Sequence, residues 1–342
     1  MRLEDVAAKA KVSVSTVSRV VTGHPSVKAS TRKRVRAALE AVHYRPNLQA
    51  RSLVAGRSNT LGIIVSNLEN PFFVDIFHAL EKEAHAAGYE VLVGNTNYDP
   101  ERLTACIDSF LGRRVAGLAI IVSETISPAL KQLMQADIPV AVYDARLPGK
   151  RRGSVRFDYA KGMTQLVEHL HSLGHERMAY IGYPLKLRPT DERRDAFVTA
   201  AKRLQIAHKY LFVRQDRDLF AGRDAGRDLL ASGFDPTAIL CVNDLFAVGV
   251  LRELGNRKIS VPEQISVTGF DNIQIAEFSC PSLTTINIPR ERIASTLFRS
   301  LVASEGKAGE LAMPYTVDPE LIVRESTGVA VKNSSFGTEP SL

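Results

Sequence analysis

Beyond residue 59, short continuous apolar runs alternate with stretches of helical periodicity, and this alternation limits the possible folds more than any other feature. The first run is Thr60–Ser66 (TLGIIVS), followed by a helical pattern from Pro71 to Ala87. Strands are then expected over Glu90–Thr96, Gly117–Ser123 and Pro139–Asp144. A second series follows at Val155–Asp158, Met178–Tyr183, Leu211–Arg214, Ala238–Asp244 and Ser266–Asp271. A strand without a polar face has to be covered on both sides, and the intervening helices supply that cover. The chain is therefore expected to be α/β, with two doubly wound parallel-sheet subdomains. Such sheets take ligands at the carboxyl ends of their strands. Two of them facing each other make a cleft that a hinge can close.

The residues ahead of this pattern differ in charge. Residues 1–58 hold twelve Lys/Arg against three Asp/Glu, a net of +9, while the remaining 284 hold 32 basic and 34 acidic side chains. The whole excess of +7 thus comes from the first sixth of the chain. A small basic domain on a near-neutral body is the electrostatic footprint of a nucleic-acid binder, or else a solvated basic face. No apolar run approaches the roughly 18 residues that a membrane span needs. Met1–Ala10 has no apolar core of the secretory kind. Cys106, Cys241 and Cys280 lie too far apart for a metal or disulfide framework and read as small core residues.

Three short amphipathic stripes lie inside the basic segment: Leu3, Val6, Ala7, Ala10; then Val17, Val20, Val21; then Val35, Leu39, Val42. Each is too short to fold alone, so the three helices must bury one another. Ser13 or Ser15 can cap the second helix, and Ser30 or Thr31 the third. A helix, a turn at Lys11–Ser13 and a second helix rich in small polar residues form the helix-turn-helix pattern. Its second helix faces base edges in the major groove. Ser13, Val14, Ser15, Thr16, Ser18 and Arg19 lie on that stretch. Val14 can touch a thymine methyl, Arg19 can bond guanine through two donors, and the hydroxyls can reach bases or phosphates.

The segments LEDVAA (3–8), VSVSTVSRVV (12–21), TRKRV (31–35), YRPN (44–47), ARSL (50–53) and GR (56–57) closely resemble the DNA-binding head of the lactose-repressor/galactose-repressor (LacI/GalR) family. The resemblance continues to about residue 327. It implies a helix-turn-helix head over 1–45, a linker over 46–57 and a body of periplasmic-binding-protein type over 58–328. The first subdomain would take about 60–156 and 286–312, the second 157–285 and 313–328, with a disordered tail over 329–342. It also implies a homodimer on a pseudo-palindromic double-stranded operator. The linker would become helical on DNA, with Asn47 and Arg51 at the duplex and Leu53 wedged into the minor groove, which unstacks a base step. One departure stands out: Lys11 occupies a turn position where the family usually has glycine. If that position is left-handed, a side chain there costs about 1 kcal/mol.

In the body, polar residues fall where a cleft would use them. Asn70 can cap the helix begun by Pro71, and Phe72 can wall the apolar face of a sugar. Asp144, Asp158, the Asn243–Asp244 pair and Asp271 all end strands, a spacing suited to a ligand with many hydroxyls or to ordinary caps. The resemblance implies effector contacts at Arg193, Asn243 and Asp271, and less uniform ones at Phe72 and Asp144. Lys186, Arg188, Arg193, Arg194 and Arg146 crowd the same end, which allows a sugar acid or phosphate as well as a sugar, or a solvated loop. The aromatic that often stacks on the ligand falls one residue out of register, at Phe220 or Ala221.

His169 and His171 point to opposite sides of a helix and cannot share a metal. No phosphate loop, dinucleotide fingerprint or nucleophile elbow is present. The expected function is a cytoplasmic, nucleoid-associated, sequence-specific transcription regulator, most simply a repressor. A small sugar-like effector in the cleft would control it, with no catalytic residues, metal or cofactor. The other readings are a sugar-modifying enzyme or a sugar-binding protein with a basic appendage.

Overall fold

The computed structural model describes residues 3–21, 24–43, 58–124, 127–145, 152–183, 187–212, 218–303 and 315–331. They fall into two compact units, Met1–Asn59 and Thr60–Leu342.

The first unit holds three helices: α1 (Leu3–Ala10), α2 (Val14–Val21) and α3 (Ala29–Ala41). Val6, Ala7, Ala10, Val17, Val20, Val35, Ala38 and Val42 close around one small core. The stripes read from the sequence thus face one another, and the burial of the valines holds helices that could not persist singly. Lys11 sits in the turn at φ 50°, the left-handed conformation that a glycine would take without strain. Ser13 caps α2 by accepting from Thr16 N at 3.2 Å. The expected cap of α3 is not used: the helix starts after Lys28 with no side-chain cap, which places Ser30 and Thr31 within its first turn.

The second unit begins with β1 (Thr60–Val65), α4 (Pro71–Ala86), β2 (Glu90–Asn95), α5 (Pro100–Gly112), β3 (Gly117–Ile121), α6 (Ser127–Gln135), β4 (Val140–Tyr143) and β5 (Arg152–Phe157). It continues with α7 (Tyr159–Ser172), β6 (Arg177–Gly182), α8 (Arg188–Arg203), β7 (Ala207–Phe212), α9 (Asp218–Ala231), β8 (Ala238–Cys241), α10 (Asp244–Asn256) and β9 (Ser266–Thr268). The last elements are α11 (Gln274–Phe278), β10 (Thr285–Asn287), α12 (Arg290–Val302), β11 (Tyr315–Val317) and β12 (Glu320–Ile322).

Two sheets organise these elements into two lobes. The first has the order β11-β5-β4-β3-β1-β2, the second β7-β6-β8-β9, and every pairing in them is parallel. Central strands β3 and β4 are buried at every residue, whereas the edge strands β2 and β7 are mostly open. That contrast is what burial on both faces demands of the middle of a parallel sheet.

The chain returns to the first lobe through α12, which packs on α4, β3, β4 and β5. Two expectations need correction. Val155–Asp158 was expected to open the second series, but β5 pairs with β4 in the first sheet. Of residues 313–328, expected in the second subdomain, β11 instead pairs with β5 in the first sheet, while β12 pairs antiparallel with β10 and Ser326 and Gly328 bond Val267 and Ser266 of the second lobe. Both segments are short strands bordering a crossover, where periodicity carries no information about which sheet a strand joins.

Of the tail expected over 329–342, residues 329–331 are ordered, with Ala330 N donating to Leu173 O at 2.9 Å, and 332–342 lie outside the described residues. His175 explains the attachment: its ring bonds Thr237 Oγ1 and Gly328 O, each at 3.0 Å. Of the cysteines only Cys241 is buried; Cys280 is exposed, and Cys106 lies between. Among the described residues no helix is long and apolar enough to cross a membrane.

Candidate functional site

The first unit presents one face of α2. Val17 and Val20 are buried, and the helical period turns Ser13, Val14, Ser15 and Arg19 outward, with Thr16 and Ser18 partly covered. Val14 is 39% exposed, an apolar side chain on a polar face with no packing role in the head. Ser13 has a second task beside any DNA contact, since its Oγ bonds Ser15 Oγ and Thr16 Oγ1, each at 2.9 Å. Arg32 anchors the start of α3 to the preceding loop through His24 O at 3.0 Å. Asn47, Arg51 and Leu53 lie outside the described residues.

In the second unit, polar groups from both lobes gather where the parallel strands end. Asn70 caps α4 by accepting from Phe72 N at 3.0 Å, and Pro71 occupies the first turn, where a missing N–H costs nothing. Phe72 is buried, with its ring 5.1 Å from Phe73 and 6.1 Å from Tyr143. Phe73 in turn meets Tyr98 at 6.3 Å.

Asp144 follows β4 at φ 60° and is buried. It accepts from Tyr159 Oη and from Phe157 N, and Arg188 of the second lobe lies 3.2 Å from its Oδ1. Burial raises its pKa to about 6; the Tyr159 bond and the Arg188 charge work against that rise.

The second lobe contributes four groups. Arg193 is buried with its guanidinium over the rings of Tyr159 (4.8 Å) and Phe270 (4.5 Å). Its Nη1 donates to Val242 O and lies 3.8 Å from Asp271 Oδ1, while Nε has no hydrogen-bond partner among the described residues. Asn243 caps α10 through Phe246 N at 2.9 Å and donates to Asp218 Oδ2 at 2.7 Å. Asp218 also accepts from Tyr183 Oη. Asp271 is held at φ 106°, and burial raises its carboxyl to about 7 against the charges of Arg193 and Arg290.

Two glycines explain why Asp218 and Asn243 can meet. A side chain at Gly222 would stand 2.1 Å from Phe246 O, and one at Gly249 would stand 2.2 Å from Leu219 O. Only glycine lets α9 and α10 approach so closely, and that contact brings their N-termini, with Asp218 and Asn243, side by side.

Tyr98, Tyr183 and Asp218 were not singled out as site residues from the sequence. Tyr98 at φ 60° is desolvated and faces Asp218, Asp271 and Glu124, all of which push its phenol pKa up, while Asn67 bonds it. Glu124 sits between Ser66 Oγ (2.6 Å) and Thr96 Oγ1 at the ends of β1, β2 and β3. The signal was available, because Tyr183 directly follows β6 and Tyr98 lies three residues past β2, where strand-end logic places ligand contacts.

Two strand-end aspartates turn out to be structural. Asp244 is fully buried and brackets Ile273 N (2.8 Å) and Thr285 Oγ1 (2.6 Å), and Asp158 caps α7 through Lys161 N at 2.9 Å. Neither candidate for the stacking aromatic settles into the group: Ala221 is buried, and Phe220 is 46% exposed with Arg223 over its ring. Among the described cations that suggested an acidic ligand, Arg188 pairs with Asp144 and Glu192, Arg193 with Asp271, and Arg194 with Asp191 and Asp195. Among the described residues no cluster of His, Cys, Asp or Glu could hold a metal.

A helix-turn-helix head and a two-lobed body with polar groups converging at its strand ends define a DNA-binding regulator with a ligand-binding fold. Comparison with known proteins agrees. Residues 2–47 match the model of bacterial regulatory proteins of the lacI family, and residues 167–327 match that of a periplasmic binding protein-like domain. The transcriptional regulator GalR of Salmonella typhimurium is 29% identical over 337 residues, 98% of each chain. The repressor PurR of Erwinia tasmaniensis is 31% identical over 330 residues, 95% of this chain and 96% of the relative. The ribose operon repressor of Escherichia coli is 31% identical over 304 residues, 88% of this chain and 92% of the relative. Among solved structures, the Lac repressor dimer bound to operator and an anti-inducer aligns with TM-score 0.80 at 27% identity, covering 96% of this chain and 99% of that one. A LacI family regulator from Enterococcus faecium with bound ribose aligns with TM-score 0.69 at 25% identity over 80% of this chain and all of that one. The chain belongs to the LacI family and is a transcriptional regulator.

Proposed function

We propose that the chain is a dimeric repressor whose hold on a pseudo-palindromic operator is set by a neutral, sugar-like effector in the body's cleft. Each head reads a half-site with Val14, Ser15, Thr16, Ser18 and Arg19 beside Ser13, and the linker over 46–57 adds Asn47, Arg51 and Leu53. Asn70, Phe72, Asp144, Arg193, Asn243 and Asp271 contact the effector, joined by Tyr98, Tyr183 and Asp218. The operator-bound Lac repressor and the ribose-bound regulator from Enterococcus faecium support the two partners by likeness. The observation that carries the reading is Arg193: a buried guanidinium over two rings, beside Asp271, with one nitrogen that has no partner among the described residues. A group of that kind is satisfied by a ligand oxygen.

The pairing of Arg188, Arg193 and Arg194 with carboxylates favours a neutral sugar over a sugar acid. We infer that the role is binding and not catalysis, exercised at the nucleoid in the bacterial cytoplasm. The test selects an operator from a random duplex pool with the full-length chain, then titrates neutral pentoses and hexoses, their acids, and nucleosides against the complex. One neutral sugar is expected to shift operator affinity, and Arg193→Lys to abolish that shift. No selected duplex, or no response to any compound, overturns the reading.

A further inference from the structure

Asp271 and Asn272 are consecutive non-glycine residues in left-handed backbone, at φ 106° and 53°. A pair of this kind persists only where its surroundings hold it. Several contacts fix the amides and side chains of the two residues. Asp271 N donates to Ile286 O at 2.9 Å, Asn272 Nδ2 to Asn287 Oδ1 at 3.1 Å, and Arg324 Nη2 to Asn272 Oδ1 at 2.8 Å. The two carbonyls depend on a different residue. Arg290, the first residue of α12, donates from Nη1 to Asp271 O and from Nη2 to Asn272 O at 2.8 Å. Its Nε lies 3.1 Å from Asp75 Oδ2. Asp75 is on α4, one turn beyond the Asn70–Phe72 start that faces the cleft from the first lobe.

One guanidinium therefore grips two carbonyls of the second lobe's ligand loop and a carboxylate on the first lobe's ligand helix. Its side chain is only 17% exposed. A planar fork of donors can do this in a fixed geometry, and a lysine ammonium cannot. We propose that Arg290 is a positioning residue that sets the backbone of Asp271 and couples it to α4, so that displacement of either lobe's contact is felt at the other. The proposal rests on the reading of Asp271 and Asn70 as effector contacts. Coupling of this kind is reciprocal: a perturbation on α4 must register at the loop as well as the reverse.

Amide hydrogen exchange on the full-length chain tests it without a ligand, so its outcome is independent of whether any sugar binds. Asp75→Ala removes only the first-lobe arm. It is expected to speed exchange at residues 271–273 at least threefold, although they belong to the other lobe. Arg290→Lys is expected to speed exchange at least tenfold at 271–273 and also at 72–76. Amides of β6 and β8 report global unfolding and are expected to stay within twofold in Asp75→Ala. Exchange at 271–273 less than threefold faster than in the unaltered chain in Asp75→Ala overturns the proposal, whatever Arg290→Lys does. A merely local role for Arg290 would leave that cross-lobe readout unmoved.

Discussion

Arg188 reaches from the second lobe to Asp144 of the first and holds both its carbonyl oxygen, at 2.7 Å, and its carboxylate, at 3.2 Å. The carboxyl nevertheless titrates at about 6, because burial outweighs the nearby charge. A carboxyl whose folded pKa lies above its ordinary 3.8 stays protonated in the folded state after it has ionised in the unfolded one. Stability therefore falls as pH rises from about 4 through about 6 and is flat above. Arg188→Met should push the folded value higher and widen that window. The variant is expected to lose roughly 1 kcal/mol more at pH 8 than at pH 5, since half-exposed pairs are worth little more. Denaturant unfolding at the two pH values measures it, and equal losses would sever Asp144 from Arg188.

Asp244 carries the same sign further. Burial and the neighbouring Asp271 raise it to about 8, against the bonds from Thr285 and Ile273. The penalty for ionising it accumulates from about pH 4 to about pH 8. Asparagine keeps an acceptor for Ile273 N, and its amide can donate to Thr285 Oγ1 with the hydroxyl rotated. Asp244→Asn is expected to flatten the loss of stability between pH 5 and 8.5 by at least about 1 kcal/mol. Unfolding midpoints across that range decide it; a parallel curve would place the titration elsewhere.

How much could be read in advance follows from how local each signal is. The stripe Val6–Ala10 and its partners marked the head because three short helices have few ways to bury themselves. Central strands β3 and β4 were legible because both of their faces are apolar. The sheet joined by Tyr315–Val317 was not, because three residues at an edge carry no record of their neighbour. In the cleft, Asn70, Asn243 and Asp271 were visible as strand-end or cap residues. Asp244, also at a strand end, faces inward to bind Thr285, a partner 41 positions later that no local pattern announces. Tyr98 and Asp218 come together only through the packing of separate lobes.

Lys11 is the one family departure with a visible cost. Its φ of 50° lies in the region where a Cβ crowds the following carbonyl. Lys11→Gly should relieve up to about 1 kcal/mol, partly offset by the freedom glycine adds to the unfolded chain. Exchange at the amides of α1 and α2 in the full-length protein is expected to slow by a few-fold. An unchanged or faster rate would mean that the lysine stem packs well enough to cancel the strain.

The head and linker make separable contributions to operator binding, and two variants distinguish them. If Lys and Arg of the basic head neutralise phosphates, the logarithm of affinity for a selected operator falls linearly with that of salt concentration, with a slope near −0.9 per contact. Arg19→Ala should cost about 1–3 kcal/mol and relax preference at one base pair. Its slope should change by no more than about one contact if Arg19 reads a base edge. Leu53 carries no charge, so Leu53→Ala should leave the slope unchanged while weakening binding at least tenfold, through loss of a wedge at the central base step. Its affinity for the effector should stay within twofold, because every proposed effector contact belongs to the compact unit that starts at Thr60, and Leu53 does not. Fluorescence anisotropy over a salt series, with calorimetry for the effector, measures all three quantities. A flat salt response would deny the head its phosphate contacts, and equal loss of operator and effector binding in Leu53→Ala would mean that the residue supports the body and not the duplex.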